Sequence, residues 1–370
     1  MEEKEITISL CIIVKNEEKT LGRCLDSVKD MCDEIVIVDT GSTDRTKEIA
    51  QQYTDRIFDF TWIDDFAAAR NFAFSQATRD YILWLDADDI LLDEDREKLL
   101  TLKRNIDPLV DVVSMLYHYA FDQYGKVSFS FRRNRLVKRN KNFRWVGAVH
   151  EYLAVSGNTL NSDICVTHRR IQGHNSDRNL KIFERRKDKG EPFYPRDLYY
   201  YGNELFDHQL HSRAIEVYLE FLETEQGWVE DKISACGKLA DCFEALGKKQ
   251  QQLEYIFKSF EYASPRAEFC CRLGFYFLNE KRYEQSISWY KLATRLEKPA
   301  DSSGFMVEAC WTWLPHLQLC VCYDRLGQYE LAYEHNELAR RYHPENPQVL
   351  YNKTYLEGIL AQKSSEQKSH

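Results

Sequence analysis

Three aspartates crowd together directly after a short apolar segment, in the sequence Asp86-Ala87-Asp88-Asp89. The apolar residues 82–85 are expected to form a strand that is buried on both faces. Carboxylates this close repel one another unless a cation lies between them, and such oxygen ligands suit Mg²⁺ or Mn²⁺. A helix cap is the alternative, because aspartate is a common N-cap residue. The motif alone leaves both interpretations open.

The elements before these aspartates alternate between strands and helices. Strands are predicted at residues 6–14, 34–38, 56–60 and 82–85. This alternation predicts an α/β domain with a parallel, doubly wound sheet, in which ligands bind beyond the C-terminal strand ends. Polar residues follow three of these strands: Asn16 and Glu17 the first, Asp39 the second, and Asp86 and Asp88 the fourth. We therefore expect these side chains to lie side by side.

Acids at strand ends suit hydrogen bonds to a ribose, to the NH groups of a base and to a metal ion. The sequence contains neither a GxGxxG fingerprint nor the lysine motif of a P-loop. The expected ligand is therefore a nucleotide that the protein binds without either of these phosphate cradles. Its phosphates would then need a metal.

Four blocks, at residues 12–18, 33–46, 69–71 and 85–89, resemble the opening of family 2 glycosyltransferases and occur in that family's order. They cover about the first hundred residues, and jointly they are specific, although each block alone is weak. The resemblance implies a GT-A fold of Rossmann-like, mostly parallel type. It also implies a nucleotide-sugar donor, with a UDP-hexose such as UDP-glucose as the expected kind, a divalent metal and inversion at the anomeric carbon.

Within these blocks, Asp39 matches the uracil-binding aspartate of the family, and Glu17 or Glu18 matches a position near the ribose. Arg70 matches an arginine that reaches the donor, although a surface arginine on an amphipathic helix is the alternative. The resemblance implies that Asp88 binds the metal and that Asp86 lies near the ribose and sugar. The expected donor-binding residues are Asn16, Glu17, Asp39, Arg70, Asp86, Ala87 and Asp88.

The alternation stops at residue 111. A strand is expected over 112–121 and a return strand over 127–137, after a turn. The first of these strands carries three aromatic residues: Tyr117, Tyr119 and Phe121. The return strand and the residues after it are strongly basic, and we expect only Arg135 or Arg144 to face the site, for phosphate binding.

The segment 144–153 contains the pair His150-Glu151, which is unusual in a plain strand. An inverting transfer needs one general base that takes the proton of the acceptor. The segment resembles the Val-His-Glu block of several bacterial family 2 enzymes, and Glu151 is the expected base with His150 as the alternative. In an alternating strand these two side chains face opposite ways, so only one of them would serve. The Glu-Asp acid pair of other family members is missing here.

Two histidines follow a short strand predicted at 164–166. A histidine after the catalytic strands often completes metal coordination in GT-A enzymes, and His168 or His174 would do so through a neutral imidazole nitrogen. The expected metal ligands are therefore Asp88, Asp86 and one of these two histidines. A structural role is the alternative for each histidine.

The composition changes near residue 190 to helix pairs rich in tyrosine, leucine and alanine. The segments 240–247 and 274–281 match in pattern at the tetratricopeptide spacing. We expect four degenerate tetratricopeptide-like repeats stacked as an all-α solenoid, with an insertion at 299–304 and a capping helix at 351–359. The domains are therefore placed at 1–190, with the nucleotide-sugar site in 6–100 and the acceptor part in 110–180, and at 191–370.

The whole-chain properties exclude several functions. A formal net charge of −9 over 370 residues disfavours nucleic-acid binding. The eleven cysteines are scattered, so they are expected to be reduced in a cytoplasmic protein. No signal peptide and no membrane-spanning segment is expected.

The acceptor is the open question at this level. A GT-A domain joined to such repeats resembles bacterial peptide glycosyltransferases, including the sublancin type, so a peptide or protein acceptor is expected. Cell-surface polysaccharide or lipid-linked glycan assembly is the alternative, and a non-catalytic adaptor is the second. Solenoids bind peptides or self-associate, so a homodimer through the repeats is also expected.

Overall fold

The computed structural model describes residues 5–121, 127–169, 177–298 and 306–367. The chain divides into two compact units, Met1–Pro192 and Phe193–His370. The first unit is built on a sheet, and the second is helical. Within the described residues, no helix combines the length and the apolar character needed to cross a lipid bilayer.

The strands of the first unit are β1 (Ile8–Val14), β2 (Glu34–Asp39), β3 (Ile57–Asp59), β4 (Tyr81–Trp84), β5 (Asp89–Ile90), β6 (Val112–Phe121), β7 (Val127–Lys138), β8 (Arg144–Val146), β9 (Tyr152–Ala154) and β10 (Thr159–His168). Its α-helices are α1 (Leu21–Val28), α2 (Thr46–Ala50), α3 (Phe66–Gln76), α4 (Asp93–Asn105) and α5 (Arg178–Asp188). Short 3-10 helices cover Lys29–Met31 and Arg139–Lys141.

Eight of these strands form one mixed sheet in the order β3-β2-β1-β4-β7-β6-β10-β5, and β8 pairs with β9 separately. The four strands from β3 to β4 run parallel, as the sequence predicts. Strand β7 then pairs antiparallel with both β4 and β6, while β6 and β10 are parallel. The sheet is therefore mixed, and the half formed by β1 to β4 is purely parallel.

Strand β1 shows why this half of the sheet is mostly apolar. Ile8, Leu10 and Ile12 pack into one hydrophobic cluster, whereas Cys11 packs into another cluster on the opposite face. Successive side chains of a strand point to opposite faces, so packing on both sides of the sheet buries nearly every position. Ser9, the one polar residue of β1, is buried as well, and its hydroxyl donates to the carboxylate of Glu34.

The segment 144–153 is not the continuous strand that the sequence predicts. Strand β8 ends at Val146, and β9 begins only at Tyr152. Between them Gly147 has φ +99° and His150 has φ +52°, both in the left-handed region. The alternation argument for His150 and Glu151 therefore does not apply, since both residues lie in a loop.

The second unit contains ten helices within its described residues: α6 (Pro195–Asp207), α7 (His211–Glu223), α8 (Val229–Ala245), α9 (Lys249–Lys258), α10 (Ala267–Asn279), α11 (Tyr283–Ala293), α12 (Glu308–Trp311), α13 (Leu314–Arg325), α14 (Tyr329–Arg340) and α15 (Pro347–Gln367), with a 3-10 turn at Ser259–Glu261. Helices α6–α7, α8–α9, α10–α11 and α13–α14 pack as consecutive pairs. They are the four repeats that the sequence predicts, and α15 contains the predicted capping helix. The predicted insertion at 299–304 lies outside the described residues.

A glycine in the first helix of two pairs explains the close packing. A Cβ added at Gly202 would lie 2.6 Å from the ring of Tyr218, and one added at Gly274 would lie 2.6 Å from the ring of Tyr290. Both tyrosines are buried on the second helix of the pair. Each small residue therefore makes room for a large ring, which is how the repeats hold together without long-range strand pairing.

Candidate active site

The three strands that end in polar residues are neighbours in the sheet. Strand β1 pairs in parallel with β2 on one side and with β4 on the other. Their C-terminal ends therefore lie at one edge of the sheet, where Asn16, Asp39 and Asp86 follow them. The topology brings together the residues that the sequence places at strand ends, and ligands of such sheets bind at this edge.

Arg70 is the centre of the site. Its guanidinium donates from Nη2 to Oδ1 of Asp86 at 2.6 Å and from Nε to Oε1 of Glu151 at 2.6 Å. The side chain is only 8 % exposed, and the planes of Trp84 and Trp145 lie near it, with ring centroids 5.0 and 4.8 Å from Cζ. The alternative that Arg70 is a surface arginine is therefore excluded.

Two neighbours of Arg70 explain how helix α3 is fixed in place. The carboxylate of Asp65 caps the helix by accepting from the amide of Ala68 at 2.9 Å. The side chain of Asn71 donates to the carbonyl of Trp145 and accepts from its amide, both at 2.9 Å. The Ala-Arg-Asn block therefore joins α3 to strand β8 through Asn71, while Arg70 faces the acids.

Asp86 is surrounded by guanidinium groups. Burial raises its pKa, but Arg70, Arg135 and Arg133 act against burial and hold the pKa below its usual range. Nη1 of Arg133 lies 4.0 Å from Oδ2 of Asp86. The side chain is therefore a carboxylate at all ordinary pH values, and it orients arginines. Ala87, beside it, is buried in the core and offers no polar side-chain atom.

Glu151 lies in the loop between β8 and β9, against Arg70. Its side chain is 12 % exposed, so the carboxylate is largely shielded from bulk solvent but still reaches the surface of the site. His150 is half-buried in the left-handed conformation described above. The structure brings Glu151 together with Asp86 through Arg70.

Asp88 and His168 form the second part of the site. Nδ1 of His168, the last residue of β10, lies 3.5 Å from Oδ1 of Asp88 and 3.4 Å from Oδ1 of Asp89. Burial raises the pKa of Asp88 to about 6, with further repulsion from Asp86 and Asp89, although His168 lowers it. The pKa of His168 is raised because hydrogen bonding to Asp89 and the nearby acids outweigh its burial.

Asp88, Asp89 and His168 place one ligand atom each within 4.8 Å of one another, and this is the group of three metal-ligating side chains found among the described residues. The carboxylate and imidazole donors fit Mg²⁺ or Mn²⁺. Asp86, also expected as a ligand, is paired with Arg70 instead. His174 lies outside the described residues.

Asp89 plays a larger part than the sequence indicates. Its side chain is fully buried, 3.0 Å from Nη2 of Arg135, and accepts from the hydroxyl of Tyr117 at 2.9 Å. It also accepts from the amide of Asp86 at 3.1 Å. Arg135 is itself fully buried, so the pair of Asp89 and Arg135 holds the loop after β4 in place from the interior of the domain. Arg135 is fully buried against Asp89 and Arg144 is exposed, so the expectation that one of them faces the site and binds phosphate stays a prediction.

Two weak signals in the sequence point to these additional residues. Tyr117 and Arg133 stood in the aromatic and basic pattern of β6 and β7, but most basic residues there were expected on a solvated face. The antiparallel pairing of β7 with β4 turns Arg133 and Arg135 toward Asp86 and Asp89. This pairing is a tertiary feature, and periodicity alone does not predict it.

Asp39 carries an unpaired oxygen. Its Oδ1 accepts from the amides of Gly41 and Ser42, both at 2.8 Å, but Oδ2 is buried without a hydrogen-bond partner in the structure. The residue is 1 % exposed. An unpaired carboxylate oxygen in such a position costs free energy unless a ligand donates to it. It therefore fits the NH group of a bound base.

Asn16 and Glu17 order the loop after β1. Asn16 has φ +57°, its amide donates to Oγ of Ser42 at 2.9 Å, and its side chain accepts from the amide of Thr43 at 2.8 Å. The amide of Glu17 donates to Oγ1 of Thr46 at 2.7 Å, and its carboxylate accepts from Thr20. Both residues therefore tie the β1 loop to the β2 loop around Asp39.

Residues 9–157 match the family model described as glycosyl transferase family 2. A segment of 144 residues is 40% identical to a TPR repeat-containing protein of Synechococcus elongatus, over 39% of this chain and 34% of the relative. A segment of 211 residues is 31% identical to the prophage-derived glycosyltransferase SunS of Bacillus subtilis, over 54% of this chain and 49% of the relative.

A third relative is the lipopolysaccharide core biosynthesis glycosyltransferase LpsC of Rhizobium meliloti, 33% identical over 166 residues, which are 43% of this chain and 61% of the relative. The matched segments thus span less than two thirds of each relative's own length. Together with the sheet order and the helix pairs above, the match assigns the two parts of the molecule. Residues 9–157 are thus similar to family 2 glycosyltransferase domains and form a GT-A-type sheet, and tetratricopeptide-like helical repeats follow them in the chain.

Proposed function

We propose that the chain is an inverting glycosyltransferase that moves a sugar from a nucleotide-sugar, a UDP-hexose in kind, to a peptide or protein side chain. The observation that carries this proposal is the contact of Arg70 with Asp86 and Glu151 at the sheet edge where Asp39 presents its unpaired oxygen. This edge thus holds a group for the base, charged groups for the sugar diphosphate, and a carboxylate for the acceptor.

The donor lies across this edge in the proposed complex. Asp39 Oδ2 accepts from an NH group of the base, which is the uracil N3–H for a UDP-sugar. Asp88 and His168 would hold Mg²⁺ or Mn²⁺, which neutralises the diphosphate leaving group when it is bound. Arg133, 4.0 Å from Asp86, offers a further positive charge at the same place.

The transfer itself needs one proton to move. Glu151 takes the proton from the acceptor's hydroxyl or thiol as that atom bonds to the anomeric carbon, and the bond from the anomeric carbon to the diphosphate oxygen breaks. Arg70 holds the carboxylate of Glu151 in position through Oε1. His150 is the alternative base.

The acceptor class is supported by the helical unit and by the resemblance of the chain to peptide glycosyltransferases. Stacked helix pairs form extended surfaces that commonly bind peptides.

The eleven cysteines are all free, which fits the reducing cytoplasm that the proposal assumes. A homodimer through the repeats stays a prediction, which light scattering of the purified chain tests.

The deciding experiment screens UDP-, GDP- and other nucleotide-sugars for nucleotide release by the purified chain, with Mn²⁺ or Mg²⁺ and with EDTA. We expect release from one UDP-hexose that EDTA abolishes. Asp88→Asn should abolish release, and Asp163→Asn, whose side chain is 81 % exposed, is the matched control and should retain it. No release from any donor, under any metal condition, would contradict the proposal.

A further inference from the structure

Four aromatic side chains, one of them buried, pack together beside the candidate active site. Tyr117 and Tyr119 lie two apart on β6, and Phe129 and Phe131 lie two apart on β7, so each pair shares one face of its strand. Tyr117 is directly opposite Phe131 in the sheet. We call these four residues the aromatic shelf.

The rings of the shelf are in contact with one another. The centroids of Tyr117 and Phe131 are 5.4 Å apart, those of Phe129 and Phe131 are 5.4 Å apart, and those of Tyr119 and Phe129 are 6.2 Å apart. These are the separations of edge-on and tilted aromatic packing. The shelf is therefore one preformed surface, and its rings need no rearrangement to bind a ligand.

The shelf begins at the site itself. The ring of Tyr119 stacks on the imidazole of His168 at 5.2 Å, with an interplanar angle of 8°. The same imidazole lies 3.5 Å from Asp88. A single ring thus separates the shelf from the carboxylate that would hold the metal, so a molecule on the shelf reaches the reacting centre.

The exposure of the shelf increases away from the core. Tyr117 is 3 % exposed, Phe129 and Phe131 are half-buried, and Tyr119 is 46 % exposed. A single exposed tyrosine on a protein surface is ordinary, whereas three partly exposed rings that pack on a buried fourth next to a polar site are typical of a ligand-binding surface. The shelf is continuous with the site and opens outward.

The charges around the shelf restrict what it binds. The guanidinium carbon of Arg133 lies 5.5 Å from the ring centroid of Tyr117 and 5.6 Å from that of Phe131. The guanidinium carbon of Arg169 lies 5.3 Å from the centroid of Phe121, on the same strand. These cations already use the electron-rich ring faces and repel a second cation. A neutral aromatic or large aliphatic group fits best.

We propose that the aromatic shelf is an acceptor subsite, which binds an aromatic or large aliphatic side chain of the peptide near the residue that receives the sugar. This inference rests on the proposed function, since it assumes transfer to a peptide. It adds a sequence preference that comes from the glycosyltransferase unit itself.

The test uses synthetic peptides with one cysteine or serine in a glycine and alanine background. One tryptophan is placed one to four positions before or after that residue, and matched peptides have alanine there. Transfer from the donor found in the nucleotide-release screen is followed by mass spectrometry. We expect kcat/KM for the best tryptophan peptide to exceed that of its alanine partner about tenfold, the size of a good aromatic contact.

Variants of the shelf then locate the preference. Tyr119→Ala should bring the ratio between the two peptides close to one, and Tyr119→Phe should preserve it. Because the ratio compares two peptides on the same enzyme, it does not depend on any effect of the substitution on the donor site. Tyr342→Ala, which removes a tyrosine that is 54 % exposed in the helical unit, is the matched control and should keep the ratio.

Binding gives a second measurement that needs no transfer. Fluorescence anisotropy of a labelled tryptophan peptide, with the donor nucleotide present, should show affinity that falls about tenfold in Tyr119→Ala. Equal binding of tryptophan and alanine peptides, or a preference that persists in Tyr119→Ala, overturns the subsite. Donor hydrolysis with transfer to a glycan and to no peptide also overturns it. The absence of donor hydrolysis would instead contradict the proposed function.

Discussion

Arg70 and Glu151, which are 81 residues apart in the sequence, form a 2.6 Å hydrogen-bonded ion pair inside the candidate active site. The pair links helix α3 to the loop between β8 and β9, and its second contact links both to Asp86. The geometry of the site therefore depends on one guanidinium group, and removing it would affect folding and chemistry together.

Replacing Arg70 should be costly. Arg70→Leu leaves Asp86 and Glu151 as unpaired acids in a nearly buried position, so we expect a loss of about 3–5 kcal/mol in the free energy of unfolding. Arg70→Lys keeps the charge but cannot contact both acids, so donor hydrolysis should fall strongly with a smaller loss of stability. Urea unfolding and nucleotide release measure the two effects. Arg104→Lys, at an exposed position of α4, is the control and should change neither.

Glu151→Gln tests the base. The amide oxygen still accepts from Arg70, so donor binding measured by calorimetry should be retained. Transfer should fall about 10²–10⁴-fold, because the amide cannot take a proton. His150→Gln is the comparison and should keep most of the transfer. Loss of transfer in His150→Gln alone would assign the base to His150, and loss of donor binding in Glu151→Gln would make Glu151 a donor-site residue.

Asp88 makes stability depend on pH in the metal-free chain. Because its pKa is raised from 3.8 to about 6 in the folded state, the folded state binds more protons than the unfolded state between these values. Stability therefore falls as pH rises through this window. In EDTA, Asp88→Asn should exceed the wild type by about 2 kcal/mol at pH 8 and match it at pH 4, by urea unfolding. Equal stability at both pH values would refute this.

Bound metal should reverse the stability order of the wild type and Asp88→Asn. A metal that binds only the folded state stabilises it, by about 2.7 kcal/mol at a hundredfold excess over Kd. We expect Mn²⁺ to raise the melting temperature of the wild type and of Asp163→Asn, but not of Asp88→Asn or His168→Ala. A shift that persists in Asp88→Asn would place the metal elsewhere.

The helical unit depends on its small residues. Gly274→Ala puts a methyl group 2.6 Å from the ring of Tyr290, so we expect a loss of about 1–3 kcal/mol from overpacking. Gly358→Ala is the matched control, since a Cβ there meets nothing within 4 Å on helix α15. That substitution should stabilise the chain by about 0.5–1 kcal/mol through helix propensity. Similar effects in urea unfolding of both variants would contradict the packing argument.

The sequence by itself determined the parallel half of the sheet and the helix pairs. Strands buried on both faces are mostly apolar, and parallel strands joined by helices end at the same edge, so Asp39 and Asp86 had to lie at one edge of the sheet. The repeats follow from a local periodicity in which a small residue on one helix packs against a tyrosine on the next, as Gly274 does against Tyr290. These features depend on residues close in the chain or on the chirality of the backbone.

Tertiary structure alone decided how the acids differ from one another. Asp86, Asp88 and Asp89 are chemically alike and adjacent, but the first meets Arg70, the second faces His168, and the third is buried against Arg135. Each partner comes from a distant element, and the antiparallel pairing of β7 with β4 supplies the last of them. Tertiary structure also decides the left-handed backbone at His150, because a loop conformation depends on what packs around it. Periodicity records which face of an element is buried, and it does not record which charge lies opposite.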